Sequence, residues 1–179
     1  TYSSLAGTNT ATDFGEVPSQ IHEHWLMTPE ILDGFARHAQ TGAPMPKELI
    51  DKVQRSRTFN QGYVTAEYLA AAIVDMDLHS LADSKVDPDA FERRDLERLG
   101  MPREIAMRHR LPHFTHLFDN DGYAAGYYSY LWSETMDADA WQAFIESGDL
   151  WSPVVAAKLK EMLQAGDSVD QAELYRRFR

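Results

Sequence analysis

Apolar residues recur at steps of three and four along most of the chain, and glycine and proline fall mainly between the segments with this spacing. In the clearest segment, 60–80, the predicted apolar face consists of Tyr68, Leu69, Ala72, Ile73 and Met76. The same spacing predicts further helices over 19–27, 30–38, 47–55, 88–99, 122–145, 153–164 and 169–178. The predicted fold class is therefore all-α with many helices. Only 109–114, which contains Pro112, is expected to be extended.

Several predicted helices have start signals in which a side chain that caps helices precedes a proline. These pairs are Thr28-Pro29, Asp87-Pro88 and Ser152-Pro153. Proline is favoured at the first helical position because its missing N–H would have no partner there anyway. No internal repeat, low-complexity segment or linker interrupts the series of helices. Residues 1–179 are therefore predicted to form a single helical domain.

Composition narrows the partners that the chain is expected to have. Its 17 Lys and Arg against 28 Asp and Glu give a net charge of -11, which repels nucleic-acid phosphates and anionic lipid. The longest apolar run, 68–74, ends at Asp75 and is far shorter than the ~20 residues that span a bilayer. We therefore expect no nucleic-acid partner and no membrane partner. The chain has 0 cysteines, so any metal site in it must use nitrogen and oxygen ligands.

The carboxylates in 13–25 are the first candidates for chemistry. If this segment continues as a helix past Pro18, one face carries Glu16, Ser19, Gln20 and Glu23, because helical neighbours lie three, four and seven residues apart. A carboxylate in such a position is able to complete a three-ligand metal site that keeps one position for water. On propensity alone, the favoured interpretation is a solvated helix face that carries ordinary acids.

A row of tyrosines is the second candidate. Tyr123, Tyr127 and Tyr130 fall at i, i+4 and i+7, which places three phenols on one face of the helix predicted over 122–145. On composition alone, the favoured interpretation is an aromatic core stripe, since a buried tyrosine needs only one hydrogen-bond partner.

Histidines elsewhere in the chain also have suggestive spacings. His109, His113 and His116 are spaced as helical neighbours, but Pro112 interrupts their common face, so His109 and His113 are interpreted as structural. The pair at 22 and 24 would point about 200° apart on a helix and cannot bind one ion together.

The segment 7–25 resembles the part of the zinc oligopeptidase family (thimet oligopeptidase, neurolysin and bacterial peptidyl-dipeptidases) that carries a carboxylate zinc ligand. The matching positions are Gly7, Thr8, Asn9, Asp13, Phe14, Glu16, Pro18, Ser19, Gln20, Glu23 and Trp25. Gly15 departs from the valine that is usual in the family and weakens the helix locally. The resemblance implies that Glu16 is the third zinc ligand. Two interpretations of Glu23 stay open at this point: it orients a histidine ligand, or it belongs to a surface pair.

The segment 113–132 resembles the same family through its histidine and its Gly-Tyr-x-Ala-x-Tyr-Tyr-x-Tyr-Leu-Trp pattern. This resemblance implies that four residues face the zinc and bind the peptide and its developing oxyanion: His116, Tyr123, Tyr127 and Tyr130. The residues of this segment are closer to peptidyl-dipeptidases than to the thimet type. Further similarity at 57–62, 67–69 and 174–179 extends the resemblance over nearly the whole chain.

The family's His-Glu-x-x-His sequence, which supplies two zinc ligands and a catalytic glutamate, does not occur in the chain. The resemblance therefore implies the C-terminal part of a zincin-type oligopeptidase catalytic domain, inactive by itself. The expected cofactor of the complete enzyme is zinc, and the expected partners are short peptide substrates and the N-terminal part of the same protein. The expected location is the cytoplasm, with the periplasm as the alternative. The alternative function is a non-enzymatic helical interaction domain derived from the same scaffold.

Overall fold

A computed structural model of the chain describes residues 2–5, 9–82, 85–119 and 122–179. The described residues form eight α-helices and no strand, which confirms the predicted all-α fold class. The helices are α1 (Val17–Glu23), α2 (Pro29–Phe35), α3 (Lys47–Ser56), α4 (Gln61–His79), α5 (Pro88–Arg98), α6 (Ser129–Ser147), α7 (Pro153–Gln164) and α8 (Gln171–Phe178). Two positions of the first motif, Gly7 and Thr8, and Asp121 beside the second motif lie outside the described residues.

The chain divides into two compact units. Unit 1 comprises Thr1–Asp51 and Ser129–Arg179, and unit 2 comprises Lys52–Tyr128. Helices α1, α2, α6, α7 and α8 thus belong to unit 1, and α4 and α5 belong to unit 2. The expectation that residues 1–179 form one domain stays a prediction. Among the described residues, no helix combines the length and the apolar character that crossing a membrane requires.

Unit 1 is built on contacts of α1 with α6, of α6 with α7 and of α7 with α8. Its core is a cluster of buried side chains from these helices and from the segment before α1: Phe14, Val17, Ile21, Ala140, Phe144, Leu159, Met162, Leu174 and Phe178. Burying one large apolar side chain contributes ~1.5–3 kcal/mol. This cluster therefore fixes the first motif segment against α6.

The capping side chains predicted from the sequence behave differently from one another. The Asp87 carboxylate accepts two backbone N–H bonds, at 3.0 and 3.1 Å, at the start of α5. The Ser152 hydroxyl accepts one backbone N–H bond, at 3.5 Å, at the start of α7. The Thr28 hydroxyl instead donates to the Trp25 carbonyl at 2.8 Å and makes no capping bond to α2. All three helices begin at the predicted prolines, which confirms the start signals. The side chain makes a capping bond at Asp87 and Ser152 and makes none at Thr28.

In unit 2, the buried face of α4 matches the predicted apolar face only in part, since Ala72 is common to both. Its buried residues are Ala70, Ala71, Ala72, Val74 and Asp75. Leu69 and Met76, which were predicted to be on the buried face, are 38% and 39% exposed. Because this helix is apolar on several sides, spacing alone does not identify the face that packs. The helix packs on α5, which in turn contacts the 3₁₀ turn Leu111–His113.

Two predicted elements are wrong. The helix predicted to begin at Gly122 begins at Ser129, so Tyr123 and Tyr127 do not share a helix face with Tyr130. The residues before α6 form turns in which Ala125 has a φ of 57°. The segment 109–114, predicted to be extended, contains the 3₁₀ turn Leu111–His113. The fixed φ of proline suits the first turn of a helix as well as an extended chain, which explains the second error.

Candidate active site

Glu16 is half-buried at the N-cap position of α1. The Ser19 hydroxyl lies 2.9 Å from Glu16 Oε2 and 2.9 Å from the Glu16 backbone oxygen. Phe14 and Val17, on either side of it in the chain, are buried in the core of unit 1. The backbone of Glu16 is thus anchored by its neighbours, and Ser19 restricts where its carboxylate points.

Helix α1 is tied to the beginning of α6, where Tyr130 lies. The Gln20 side chain donates from Nε2 to the Tyr130 carbonyl at 3.0 Å. The Ser133 hydroxyl donates to the Asp13 carbonyl at 2.8 Å. These bonds link the helix that begins at Glu16 to the helix that carries Tyr130, within unit 1. The sequence placed Gln20 on the face of Glu16 but gave no sign of its partner.

Glu23 is the exposed last residue of α1. The next residue, His24, is engaged inside unit 1: its Nε2 lies 2.7 Å from Asp137 Oδ1, and its ring stacks on Trp141 with centroids 5.0 Å apart. Asp137 is buried, so this contact connects the end of α1 to the middle of α6. His22 contacts the Pro18 carbonyl instead. The two histidines that flank Glu23 therefore have separate protein partners.

His116, Tyr123 and Tyr127 come together in unit 2, and we call them the His–Tyr cluster. The rings of His116 and Tyr123 are tilted by 31° with centroids 4.2 Å apart. Tyr127 meets His116 edge-on at 5.9 Å and Phe114 edge-on at 4.9 Å. Aromatic contacts of this kind contribute ~0.5–1.5 kcal/mol each. They keep an imidazole and two phenols side by side.

Two side chains of α4 hold the backbone of this cluster. The Asp75 carboxylate accepts from the N–H of Ala125 at 3.0 Å and from the N–H of Tyr127 at 2.9 Å. The Tyr68 hydroxyl donates to the Tyr127 carbonyl. In the sequence, Asp75 is only the charge that ends an apolar run. No local pattern reveals that it binds a segment 50 residues further on.

Burial raises the pKa of the Tyr127 phenol above its usual value, and the positive charge of Arg108 opposes this only partly. Arg108 is itself paired, since its Nε donates to Glu67 Oε2 at 3.1 Å. Tyr127 therefore keeps its hydroxyl proton at neutral pH. A protonated phenol is a hydrogen-bond donor of the kind that stabilises a developing oxyanion.

No group of three or more His, Asp or Glu side chains in the described part of the chain is arranged to hold a metal ion. A catalytic zinc site uses three protein ligands and one open position. The described residues alone do not fit a complete zinc site, and Glu16 is suited to be one ligand of it. Of the candidate residues, Glu16, Glu23 and Tyr130 lie in unit 1, and the His–Tyr cluster lies in unit 2.

The sequence matches the model of peptidase family M3 over residues 1–179. It is 43% identical over 182 residues to dipeptidyl carboxypeptidase of Escherichia coli (strain K12), which covers 99% of this chain and 26% of that protein. It is 35% identical over 174 residues to oligopeptidase A of the same organism, which covers 93% of this chain and 25% of that protein. It is also 35% identical over 143 residues to the probable cytosolic oligopeptidase A of Arabidopsis thaliana, with coverages of 78% and 20%.

These matches place the chain among the peptidases. It belongs to peptidase family M3, and the resemblance to the zinc oligopeptidases that its motifs indicated is confirmed. The chain spans about a quarter of the length of the two Escherichia coli relatives.

Proposed function

We propose that the chain is part of the catalytic domain of a zinc metallopeptidase that hydrolyses short peptides. The observation that carries the proposal is the His–Tyr cluster, in which an imidazole lies 4.2 Å from one phenol ring and 5.9 Å from a second, in a chain of peptidase family M3. The relatives named dipeptidyl carboxypeptidase and oligopeptidase A support two forms of the activity. The whole protein either removes dipeptides from the carboxyl end of its substrates or cleaves within them.

In this proposal Glu16 supplies one oxygen ligand of the zinc, and two histidines outside the chain supply the other two. The bound zinc would polarise the attacking water. The contribution of this chain is a carboxylate whose direction is restricted by Ser19 at 2.9 Å. Glu23 either orients one of the histidine ligands or stays a surface acid.

The tyrosines and His116 are proposed to bind the peptide and stabilise its oxyanion. When water adds to a peptide carbonyl, the negative charge on the carbonyl oxygen grows, and a fixed donor binds it more strongly in the transition state than in the substrate. Tyr127 suits this role because its phenol is a donor at neutral pH and burial raises its pKa further. Tyr123 and His116 lie beside it, and Tyr130 is held through its carbonyl by Gln20.

Residues 1–179 alone are proposed to be inactive. A single carboxylate does not hold zinc against water, because protein zinc sites need three or four ligands. The N-terminal part of the same protein is therefore the proposed partner. We place the protein in the cytoplasm, the location that the name of the Arabidopsis relative gives, with the periplasm as the alternative.

The test uses the whole protein and two blocked tetrapeptides that differ only at the carboxyl end, one a free acid and the other an amide. We expect hydrolysis that a chelator abolishes and added zinc restores. Release of the C-terminal dipeptide from the free acid alone identifies a peptidyl-dipeptidase, and cleavage of both peptides identifies an oligopeptidase. If the zinc-loaded whole protein hydrolyses neither peptide, the proposal fails and a non-enzymatic helical interaction domain is favoured.

A further inference from the structure

Asp75 is a carboxylate that follows the apolar run 68–74 in the C-terminal half of α4, and it is 0% exposed. A charged group that is removed from water is stable only where protein donors replace the water. The donors that face it are the N–H groups of Ala125 at 3.0 Å and Tyr127 at 2.9 Å. His79 Nδ1, one turn further along α4, lies 2.8 Å from the same carboxylate. One buried side chain thus binds two backbone groups of a distant loop.

The loop 123–127 needs such support because of its shape. Its backbone makes a tight turn in which the Gly126 N–H donates to the Tyr123 carbonyl at 2.9 Å. Ala125 has a φ of 57°, a left-handed conformation that strains a residue with a side chain. A Cβ at Gly126 would lie 3.2 Å from Tyr123 Cα, so the chain passes very close to itself. Strained turns persist only where their surroundings fix them.

Tyr127 is fixed on both sides of its backbone. Asp75 accepts from its N–H, and the Tyr68 hydroxyl donates to its carbonyl. Its ring and the Tyr123 ring both contact His116. A shift of the loop backbone would therefore move two phenols relative to the imidazole.

We propose that Asp75 is a positioning residue for the reaction. It fixes the backbone of the loop 123–127 and thereby sets the positions of the Tyr123 and Tyr127 hydroxyls relative to the His116 imidazole. Asp75 is buried and acts through the backbone of the loop, without touching the substrate. This inference rests on the proposed peptidase function, because the position of the two phenols affects the reaction only if they act on a bound peptide.

The direct test is Asp75→Asn in the whole protein. Asparagine has the same shape, but its amide nitrogen is a donor, so one of the two loop N–H groups loses its acceptor. Asp95→Asn is the matched control, because Asp95 is another buried acid of unit 2 and its ion-pair partners are Arg94 and Arg98. Amide hydrogen exchange followed by mass spectrometry should show faster exchange over 122–128 in Asp75→Asn and unchanged exchange there in Asp95→Asn.

Kinetics separate positioning from general stability. We expect Asp75→Asn to lower kcat roughly 10-fold or more, since small displacements of catalytic groups have effects of that size. In a protein that already carries Tyr123→Phe and Tyr127→Phe, the same substitution should change the single-turnover rate by less than about twofold. The reason is that the effects of substitutions on rate do not add when one residue acts through another.

Three results would overturn the inference: unchanged exchange over 122–128, an unchanged kcat, or an equal loss in the presence and absence of the two phenols. If Asp75→Asn does not fold, Tyr68→Phe replaces it in the test. Tyr68→Phe removes the other bond to the Tyr127 backbone without altering a buried charge. It should change amide exchange and kcat in the same direction as Asp75→Asn, and no change in either quantity would overturn the inference.

Failure of the proposed function gives a different result. The parental protein would then hydrolyse no peptide, which removes the catalytic role of Asp75, while the exchange data still show whether it holds the loop.

Discussion

Tyr127 and Tyr130 are close in the chain but are held by different neighbours. Tyr127 is buried in unit 2, with its N–H bound by Asp75. Tyr130 lies in the first turn of α6 in unit 1, where its carbonyl accepts from Gln20. In both cases the described backbone bonds fix the residue through its main chain. Replacing tyrosine by phenylalanine therefore keeps the support and the ring and deletes only the hydroxyl.

We expect Tyr127→Phe or Tyr130→Phe, or both, to lower the kcat of the whole enzyme roughly 10²-fold or more, the scale found for a lost oxyanion donor. Zinc content should stay at the parental value, because neither phenol is a proposed ligand. Steady-state hydrolysis of a short peptide and metal analysis measure the two quantities. Tyr128→Phe, at a side chain that is 42% exposed, is the control. If both variants keep the parental kcat, the tyrosines serve packing alone.

At the scale of elements, the sequence predicts well where local signals decide. The helix predicted over 153–164 has those bounds in the structure, and Ser152 caps it. The start of α6 was missed because the turn before it is held by Asp75 of α4, 50 residues away from Ala125. The spacing of apolar residues within 122–145 does not predict such a bond. Long-range hydrogen bonds therefore decide this boundary, and local periodicity does not.

Helix α8 is tied to α6 by a polar contact whose strength depends on pH. The Tyr175 hydroxyl lies 2.8 Å from Asp139 Oδ2 and 2.8 Å from the Met136 carbonyl. The hydrogen bond from Tyr175, together with Arg179, holds the pKa of the Asp139 carboxyl below its usual value. A lowered pKa in the folded state means stability that is present above the unfolded-state pKa, about 3.9, and is lost as pH falls through the folded-state value.

Tyr175→Phe should therefore destabilise unit 1 by roughly 1 kcal/mol at pH near 7, the usual scale for one hydrogen bond. The difference from the parental protein should shrink as pH falls from about 3.9, the pKa of an unfolded Asp, through the lower folded-state pKa of Asp139. Urea unfolding curves at neutral and acid pH measure it. Tyr2→Phe, at a side chain that is 79% exposed, should show no such pH dependence. A difference that stays constant or grows in acid would contradict the assigned cause.

At the scale of the whole chain, tryptophan fluorescence reports on one unit. All 4 tryptophans lie in the ranges of unit 1. Trp25 packs edge-on against Phe144, a core residue that is 1% exposed, with ring centroids 4.9 Å apart. The folding of the unit that contains Glu16 is thus measurable separately from that of the unit that contains the His–Tyr cluster.

Phe144→Ala should lower the free energy of unfolding of unit 1 by about 3–5 kcal/mol, because it leaves a cavity among packed side chains. Denaturant titration followed by tryptophan emission measures this loss. Phe35→Ala is the control, since Phe35 also belongs to unit 1 but is 81% exposed. Similar losses in the two variants would show that the cluster around Phe144 is not the core of the unit.

The candidate site illustrates what sequence alone provides. The motifs around Glu16 and Tyr130 named the residues, but they did not show that Gln20 would join the two segments. His116 and the two tyrosines of its cluster were likewise named without the α4 side chains that hold them. Motifs name the candidate residues, whereas Asp75 and Tyr68, which hold the backbone of Tyr127, lie more than 50 residues away from it and have no spacing signal.

The central claim is that Glu16 is a zinc ligand, and metal analysis of the dialysed whole protein tests it most directly. The parental protein should hold about one zinc per chain, and Glu16→Ala should lose it, because a catalytic zinc site has only three protein ligands. Glu30→Ala, at an exposed acid in the first turn of α2, should keep the parental zinc content. A Glu16→Ala protein that retains one zinc per chain, or a parental protein that binds none, would contradict the account.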